Sequence, residues 1–363
     1  MTSLDDLPLR ADLRGSEPYG APQLPDGIQL NVNENSYGVP ESVQRRISSE
    51  IEKTLSNLHR YPDREFIELR ELLASFLGHD LELDQIWAAN GSNEILQQLH
   101  QAFGGPGRLA ISFGPTYSMY PVIAKGTLTD YKELPREEGF TLSASFVVEQ
   151  IKANNPSIVI LCNPNNPTGT AIELDVVRAA YEATDGILIV DEAYAEFSDS
   201  ESAISLLHNR PRLVISRTMS KAFAFAGVRL GYMAADPAVI DAMRLVRLPY
   251  HLSSLTQAAA RAAVRESETM LSNVREISVQ RERVAEELKK LDLVVYPSKS
   301  NFLLVSGFSD PRAVFDYLLS NGLIVRKTTI DSALRITIGT EEENNRLLEL
   351  MPSAIASLDW NHG

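Results

Sequence analysis

Between Ser216 and Gly231 the chain places a lysine, Lys221, directly after Ser220 and inside a run of small and apolar residues. An arginine, Arg229, follows eight positions later between Gly227 and Gly231. A poorly solvated lysine has its ammonium form disfavoured, so its pKa falls and it can act as an amine nucleophile. That is what a Schiff base with a carbonyl cofactor requires. An arginine with glycines beside it, where backbone can approach closely, suits a bidentate grip on a phosphate. Lysine and phosphate clamp together point to pyridoxal phosphate, which carries its aldehyde and its phosphate on one ring.

Other residues fit the same chemistry. Asp191 follows the apolar run Ile187–Val190, where an unpaired carboxylate is costly. A pyridinium nitrogen would hold it ionised, although Asp191 alone also reads as a helix N-cap. Tyr194 and Asn166 can reach a phenolate oxygen; Asn166 alone is equally a turn residue. Tyr117 follows a strand and can stack on a ring. Gly91, Ser92 and Asn93 sit between a strand and a helix, the arrangement that aims free amides at an anion. Either Ser92 or Asn93 can serve as N-cap at the same time. Ser220 would assist Arg229 at the phosphate.

These residues need a scaffold that brings them together. Strands are expected at 85–89, 109–113, 157–161, 186–190 and 212–216, with helices opening at Asn90 and over Glu173–Ala183. That alternation indicates an α/β fold with a mostly parallel sheet between helices. Ligands gather at the C-terminal edge of such sheets. Upstream, an irregular arm leads to a short strand at 28–32, the polar loop Asn33–Gly38, and helices over 40–58 and 65–77. Residues 236–292 read as long helices, one of them bridging domains. Beyond Leu293, short strands at 294–296, 301–305, 323–325 and 334–338 and helices from Pro311 and Glu341 indicate a small α+β domain. The expected division is an arm over 1–30 joining the small domain, a large cofactor-binding domain over 31–260, and a small domain over 261–363.

Composition narrows the partners. The 363 residues are 44% hydrophobic and 23% charged, ordinary for a globular protein. A net charge of −14 argues against nucleic acid or anionic membranes, and an anionic substrate would need local arginines. Apolar runs such as Ile187–Val190 are too short to span a bilayer. The N-terminus is acidic where a signal peptide would be basic, so a cytoplasmic location is expected. The single cysteine, Cys162, excludes an intramolecular disulfide and reads as a small buried hydrophobe. The six histidines show no paired ligand spacing, so no metal is expected.

From end to end the chain resembles the histidinol-phosphate aminotransferase family of fold-type I, pyridoxal-phosphate-dependent aminotransferases. The match rests on Asn33–Gly38, Arg60–Asp63, Asn163–Gly169, Asp191–Tyr194, Ser220–Gly231 and Leu334–Gly339. Trp87–Leu96 and Leu248–Ser253 are most similar to actinobacterial members. Ser36 departs from the family's usual proline and removes no functional group.

The resemblance implies that Lys221 binds the cofactor aldehyde and shuttles the proton between substrate α-carbon and cofactor. It implies that Tyr61 reaches across a two-fold axis to the partner subunit's cofactor phosphate, making a homodimer the working unit. Arg335 would grip the anionic end of both substrates, the phosphate of histidinol phosphate and the carboxylate of glutamate or 2-oxoglutarate. Arg326 is either a solvated strand end or a second fork for that anion. Tyr19, Tyr37, Asn93 and Tyr250 would close over the imidazole-phosphate substrate. An aromatic amino-acid aminotransferase and a decarboxylase of a phosphorylated amino acid are the competing enzymatic readings. A pyridoxal-phosphate-binding regulator would need a basic patch or extra domain, and the sequence offers neither.

Overall fold

A computed structural model describes residues 3–17, 20 and 27–356. Strand β1 (Ile28–Gln29) precedes helices α1 (Glu41–Leu55) and α2 (Ile67–Leu77). Next come β2 (Ile86–Ala89), α3 (Ser92–Phe103), β3 (Leu109–Gly114), α4 (Met119–Gly126), β4 (Asp130–Pro135) and α5 (Ala144–Asn154). They are followed by β5 (Ile158–Cys162), α6 (Leu174–Ala183), β6 (Ile187–Asp191), β7 (Leu213–Thr218) and β8 (Gly231–Ala235). Strands β2 to β8 form one sheet in the order β2-β8-β7-β6-β5-β3-β4. Six run one way, and β8 is antiparallel to both neighbours. Every residue of β5 and β6 is buried, the pattern of strands covered on both faces.

Helices α7 (Pro237–Val246), α8 (Ser254–Arg265), α9 (Ser267–Met270) and α10 (Val274–Lys289) follow. Asp236 caps α7 by accepting from the Ala238 amide, with Pro237 in the first turn. Buried alanines 258–260, 262 and 263 let α8 pack closely, and α1 lies against it. The remaining elements are β9 (Val294–Val295), β10 (Phe302–Ser306), α11 (Pro311–Ser320), β11 (Leu323–Ile324), β12 (Arg326–Lys327), β13 (Ala333–Thr337) and α12 (Glu341–Ala356). A four-stranded sheet runs β12-β13-β10-β9, and β1 pairs in parallel with β11.

Two apolar cores result. One surrounds the large sheet, with Trp87, Ile160, Ile189 and Val214 at its centre. The other surrounds the small sheet, with Leu30, Phe302, Leu334 and Ile336. Tyr194 and Ala222, on loops leaving β6 and β7, belong to this second core. The chain segments that carry site residues therefore lie at the seam between the cores.

Several segments differ from the sequence expectation: the strand expected at 28–32 is only Ile28–Gln29, and β8 and β12 are not among the expected strands. The helix expected over 40–58 stops at Leu55. The helix expected from Glu65 begins at Ile67 because Phe66 is left-handed (φ 39°), its ring buried edge-on to Trp87 at 5.2 Å. Elements α4, β4 and α5 also lie outside that expectation: α4 is short although it buries Tyr120, Ile123 and Ala124, β4 is an edge strand with one buried residue, and α5 buries only Val147 and Ile151. Edge and surface elements such as β4 and α5 show little apolar periodicity.

Candidate active site

The parallel strands β2, β3, β5, β6 and β7 deliver their C-terminal residues to one sheet edge. Because β8 runs the other way, its first residue lies at that same edge. Gly231 pairs with Thr218 of β7 and with Ala89 of β2. Arg229 thus arrives beside Lys221 from the opposite chain direction. A cavity of about 610 Å³ opens there. It is lined by Ser92, Asn93, Tyr117, Asn166, Asp191, Tyr194, Ser220, Lys221 and Arg229, and by Arg326 and Arg335 from the small sheet.

Lys221 Nζ donates to the Val32 carbonyl at 2.8 Å. Burial lowers the ammonium pKa to about 8; Arg335 and Arg229 add to the fall and Glu34 opposes it. The side chain is only half-buried by exposure, since it faces the open cavity. The amine is poorly solvated and reachable at once.

Asp191 ends β6 at 3% exposure. Its Oδ2 accepts from the Tyr120 hydroxyl at 2.8 Å, whereas Oδ1 meets no donor of hydrogen-bond geometry among the described residues. Burial pushes the carboxyl up to about 6, against the Tyr120 hydroxyl and the Ala193 amide. It is not a helix cap, because the next helical turn, Ala195–Phe197, has Tyr194 at its N-cap position. A buried acceptor without a donor is costly. Any cationic N–H group in the cavity that reached it would remove that cost.

The Tyr194 hydroxyl accepts from Asn33 Nδ2 at 2.8 Å and from Asn166 Nδ2 at 3.3 Å. Asn166 Oδ1 accepts from Arg335 at 2.6 Å, and the same guanidinium donates to the Asn31 carbonyl at 2.6 Å. Tyr117 donates to Asn93 Oδ1 at 3.2 Å.

Gly91 sits at φ 84°, ψ 163°, a conformation open essentially to glycine. A Cβ there would lie 2.4 Å from Arg229 Nη2, and one on Gly231 would lie 2.2 Å from the Ser92 nitrogen. The two glycines draw the first turn of α3, the guanidinium and β8 together. Ser92 and Asn93 head α3, where the first amides lack intrahelical acceptors. Ser220 Oγ accepts from Arg229 Nη1 at 3.5 Å. This corner is built for an anion.

Comparison with known proteins places this arrangement. Residues 25–350 match the family model for aminotransferase class I and II. The chain belongs to the class I and II aminotransferases. It is 53% identical over 357 residues to the histidinol-phosphate aminotransferase of Paenarthrobacter aurescens, covering 97% of this chain and 96% of that one. It is 50% identical over 343 residues to that of Thermobifida fusca, covering 94% of each. Among solved structures it is similar to histidinol-phosphate aminotransferase from Sinorhizobium meliloti in complex with pyridoxal-5′-phosphate. The TM-score is 0.83 at 25% identity, over 91% of each chain.

The aminotransferase's cofactor is pyridoxal 5′-phosphate, and the residues present fit it. The orphaned Asp191 Oδ1 suits a pyridinium N–H, and the Gly91–Arg229 corner suits a phosphate. Against a net charge of −14, the ionisable cations on the cavity wall are Lys221, Arg229, Arg326, Lys327 and Arg335, facing the carboxylates of Glu34 and Asp191. The local field is reversed in favour of anions.

Other expected site residues lie elsewhere. Gly91 backs the guanidinium of Arg229 rather than lining the cavity. Tyr37 is half-buried beside the small core and does not line it. Tyr61 and Tyr250 stack on one another outside it, centroids 4.4 Å apart and planes at 13°. Tyr19 lies outside the described residues. Cys162 is buried as expected and also touches the cavity, its thiol pushed up to about 11 by burial.

Sequence reasoning missed Tyr120 and the roles of Asn33 and Glu34. Tyr120 had a signal: its spacing of three from Tyr117 puts both rings on one side of a helical turn, edge-on at 5.5 Å. Asn33 had none, because its side-chain partners are 161 and 304 positions away.

Proposed function

We propose that this chain catalyses reversible amino transfer between L-histidinol phosphate and 2-oxoglutarate, giving imidazole-acetol phosphate and L-glutamate in histidine biosynthesis. The observation that carries this reading is half-identity, over nearly the whole length, to curated histidinol-phosphate aminotransferases. The cavity chemistry supports it: a desolvated amine, an orphaned carboxylate, and arginines contributed by both sheets.

Bound pyridoxal phosphate supplies an aldehyde and an electron-accepting ring. Lys221 supplies the amine that anchors it. The Lys221 amine would also be the base that takes the proton from the substrate α-carbon. Asp191 would keep the ring nitrogen protonated, and Tyr194 and Asn166 would address the phenolate oxygen. Tyr117 would cover the ring face. Ser92, Asn93, Ser220 and Arg229 hold the phosphate, with Gly91 providing the room. Arg335 and Arg326 would orient the anionic end of each substrate and Asn93 would border the imidazole, whereas Tyr37 and Tyr250 lie off this cavity wall. The two half-reactions share one site, so the kinetics are ping-pong.

The working unit in this reading is a cytoplasmic homodimer, with Tyr61 addressing the partner's phosphate site. Tyr61 is 79% exposed, and Leu58, Leu248 and Tyr250 nearby in the fold or sequence are exposed as well. Among the described residues no helix is long and apolar enough to cross a membrane. The two cores and the pairing of β1 with β11 support an arm over 1–30, a large domain and a small domain. The expected boundary at 260/261, however, falls inside α8: Ala263, Val264 and Met270 still belong to the large core, and Ile277 belongs to the small one.

Stopped-flow absorbance tests the assignment. Loaded enzyme is mixed with L-histidinol phosphate and, separately, with L-phenylalanine. Rapid bleaching of the cofactor band by histidinol phosphate alone is expected. The reverse ranking would make the enzyme an aromatic aminotransferase, and release of carbon dioxide would make it a decarboxylase.

A further inference from the structure

The Tyr194 hydroxyl has one hydrogen to give and two lone pairs to receive with. Both lone pairs are engaged by amide N–H groups, from Asn33 at 2.8 Å and Asn166 at 3.3 Å. The direction of the Asn166 amide is fixed by Arg335, a pure donor, which points at Asn166 Oδ1. The direction of the Asn33 amide is fixed by Thr337. Thr337 Oγ1 accepts the backbone N–H of Asn33 at 3.1 Å and donates its own hydrogen to Asn33 Oδ1 at 3.0 Å. That leaves Asn33 Nδ2, and not its oxygen, facing Tyr194. Asn301 Nδ2 holds the Asn33 carbonyl at 3.1 Å, and Phe302 holds the Tyr194 ring edge-on at 5.1 Å. Asn33 and Thr337 are 1% and 0% exposed, so water does not compete. Among the described residues the Tyr194 hydroxyl hydrogen meets no acceptor, and Tyr194 lines the cavity.

We propose that Asn33 and Thr337 are positioning residues that turn Tyr194 into an obligate donor, aiming its single hydrogen into the cavity at the cofactor's phenolate oxygen. This rests on the cofactor assignment and on the place given to Tyr194 above. A donor held on the phenolate weakens that oxygen as an acceptor for the proton on Lys221 Nζ, and so lowers the pH at which the proton is lost. A second copy of the same amide device, Asn166 with Arg335, completes the lock. The charged groups that bear most on Lys221 are Arg335, Glu34 and Arg229, and Asp191, Arg326 and Lys327 share its cavity wall. Those that bear on Tyr194 are Arg335, Tyr117 and Cys162. None of them occupies the position of Thr337, which is neutral.

The test is a pH titration of the visible absorbance of the cofactor-loaded enzyme, whose midpoint reports the proton on Lys221 Nζ without any turnover. Thr337→Val removes the hydroxyl, allows the Asn33 amide to flip, and offers Tyr194 an acceptor away from the cavity. The midpoint is expected to rise by about one pH unit, a tenfold gain in proton affinity. Asn33→Asp, which presents an acceptor outright, shifts it in the same direction. Thr337→Ser keeps the hydroxyl and titrates as wild type. In a Tyr194→Phe background Thr337→Val produces no further shift, the signature of two residues acting as one unit.

An unchanged midpoint in both Thr337→Val and Asn33→Asp overturns the proposal. So does an equal Thr337→Val shift with and without the Tyr194 hydroxyl, which would mean a general structural effect. Wild-type protein that takes up no chromophore would instead sink the cofactor assignment on which the proposal stands. Circular dichroism of each variant separates misfolding from a shifted titration, and Thr337→Ser keeps the comparison available if Thr337→Val misfolds: a Ser variant that titrates unlike wild type also counts against the lock.

Discussion

Arg326 stands directly across from Arg335 in the antiparallel pair β12–β13, and both side chains line the cavity. Like charges directly opposite one another on neighbouring strands disfavour the pairing. An anion between them reverses the sign. The juxtaposition is therefore suited to a phosphate dianion, and less demanding of a single carboxylate.

Arg335→Ala is expected to lower kcat/KM for histidinol phosphate and for 2-oxoglutarate roughly 10- to 150-fold, the worth of a charged hydrogen bond of about 1.5–3 kcal/mol. Arg326→Ala should penalise the phosphate substrate more than the keto acid. Steady-state kinetics with each substrate varied in turn measure both. Equal losses for the two substrates in Arg326→Ala would contradict a dianion fork.

The Lys221 amine loses its proton near pH 8 in the cofactor-free protein, well below the usual lysine value of 10.5. The rate of pyridoxal phosphate capture should therefore rise as pH passes through about 8. Glu34→Gln removes the carboxylate whose charge holds the proton on and shifts the midpoint down. Arg335→Ala shifts it up. Rapid-mixing absorbance at a series of pH values gives the midpoints, and a wild-type midpoint near that of free lysine would refute the desolvated site.

Asp191 makes the cofactor-free protein sensitive to pH in a definite direction. Its folded pKa, about 6, stands above its ordinary value of 3.8. The folded state then binds the proton more tightly than the unfolded chain. This contribution is complete below about pH 3.8 and is lost as pH rises through about 6, amounting to about 3 kcal/mol at most. Urea unfolding of the cofactor-free form should show that downward slope, and Asp191→Asn should lack it. Loading with cofactor should abolish the slope in the wild type, because a cation then faces the carboxylate.

Gly91→Ala introduces a Cβ where Arg229 Nη2 now lies and places alanine at φ 84°. The guanidinium is a flexible end and can withdraw, so the protein should fold but lose its phosphate grip. A loss of roughly 10-fold or more in cofactor affinity is expected, from one displaced charged contact. Gly231→Ala meets backbone of Ser92 and Gly91 instead and should destabilise the fold itself. Equilibrium dialysis and thermal melts distinguish the two effects, and unaltered affinity in Gly91→Ala would argue against this corner as the phosphate site.

Lys221, Asp191 and Asn166 were legible because each follows an apolar strand at a turn, a local pattern that one stretch of sequence displays. The same is true of Gly91, Ser92 and Asn93 between β2 and α3. Tyr120 was within reach through its spacing from Tyr117, and the edge strand β4 was not, since it buries a single residue.

The sequence by itself determined the parallel α/β scaffold, the lysine and its carboxylate, and the family, because apolar runs, turn residues and motifs act over a few positions. Only the tertiary structure decided how those residues are held. Asn33 meets Tyr194 across 161 positions, Arg335 meets Asn166 across 169, and Asn33 meets Thr337 across 304. It also decided that β8 runs backward, which carries Arg229 to the edge where Lys221 begins. The physical reason is that hydrogen bonds between buried side chains are directional and belong to pairs brought together by two separate cores. No local pattern in the chain encodes which distant donor will face a given acceptor.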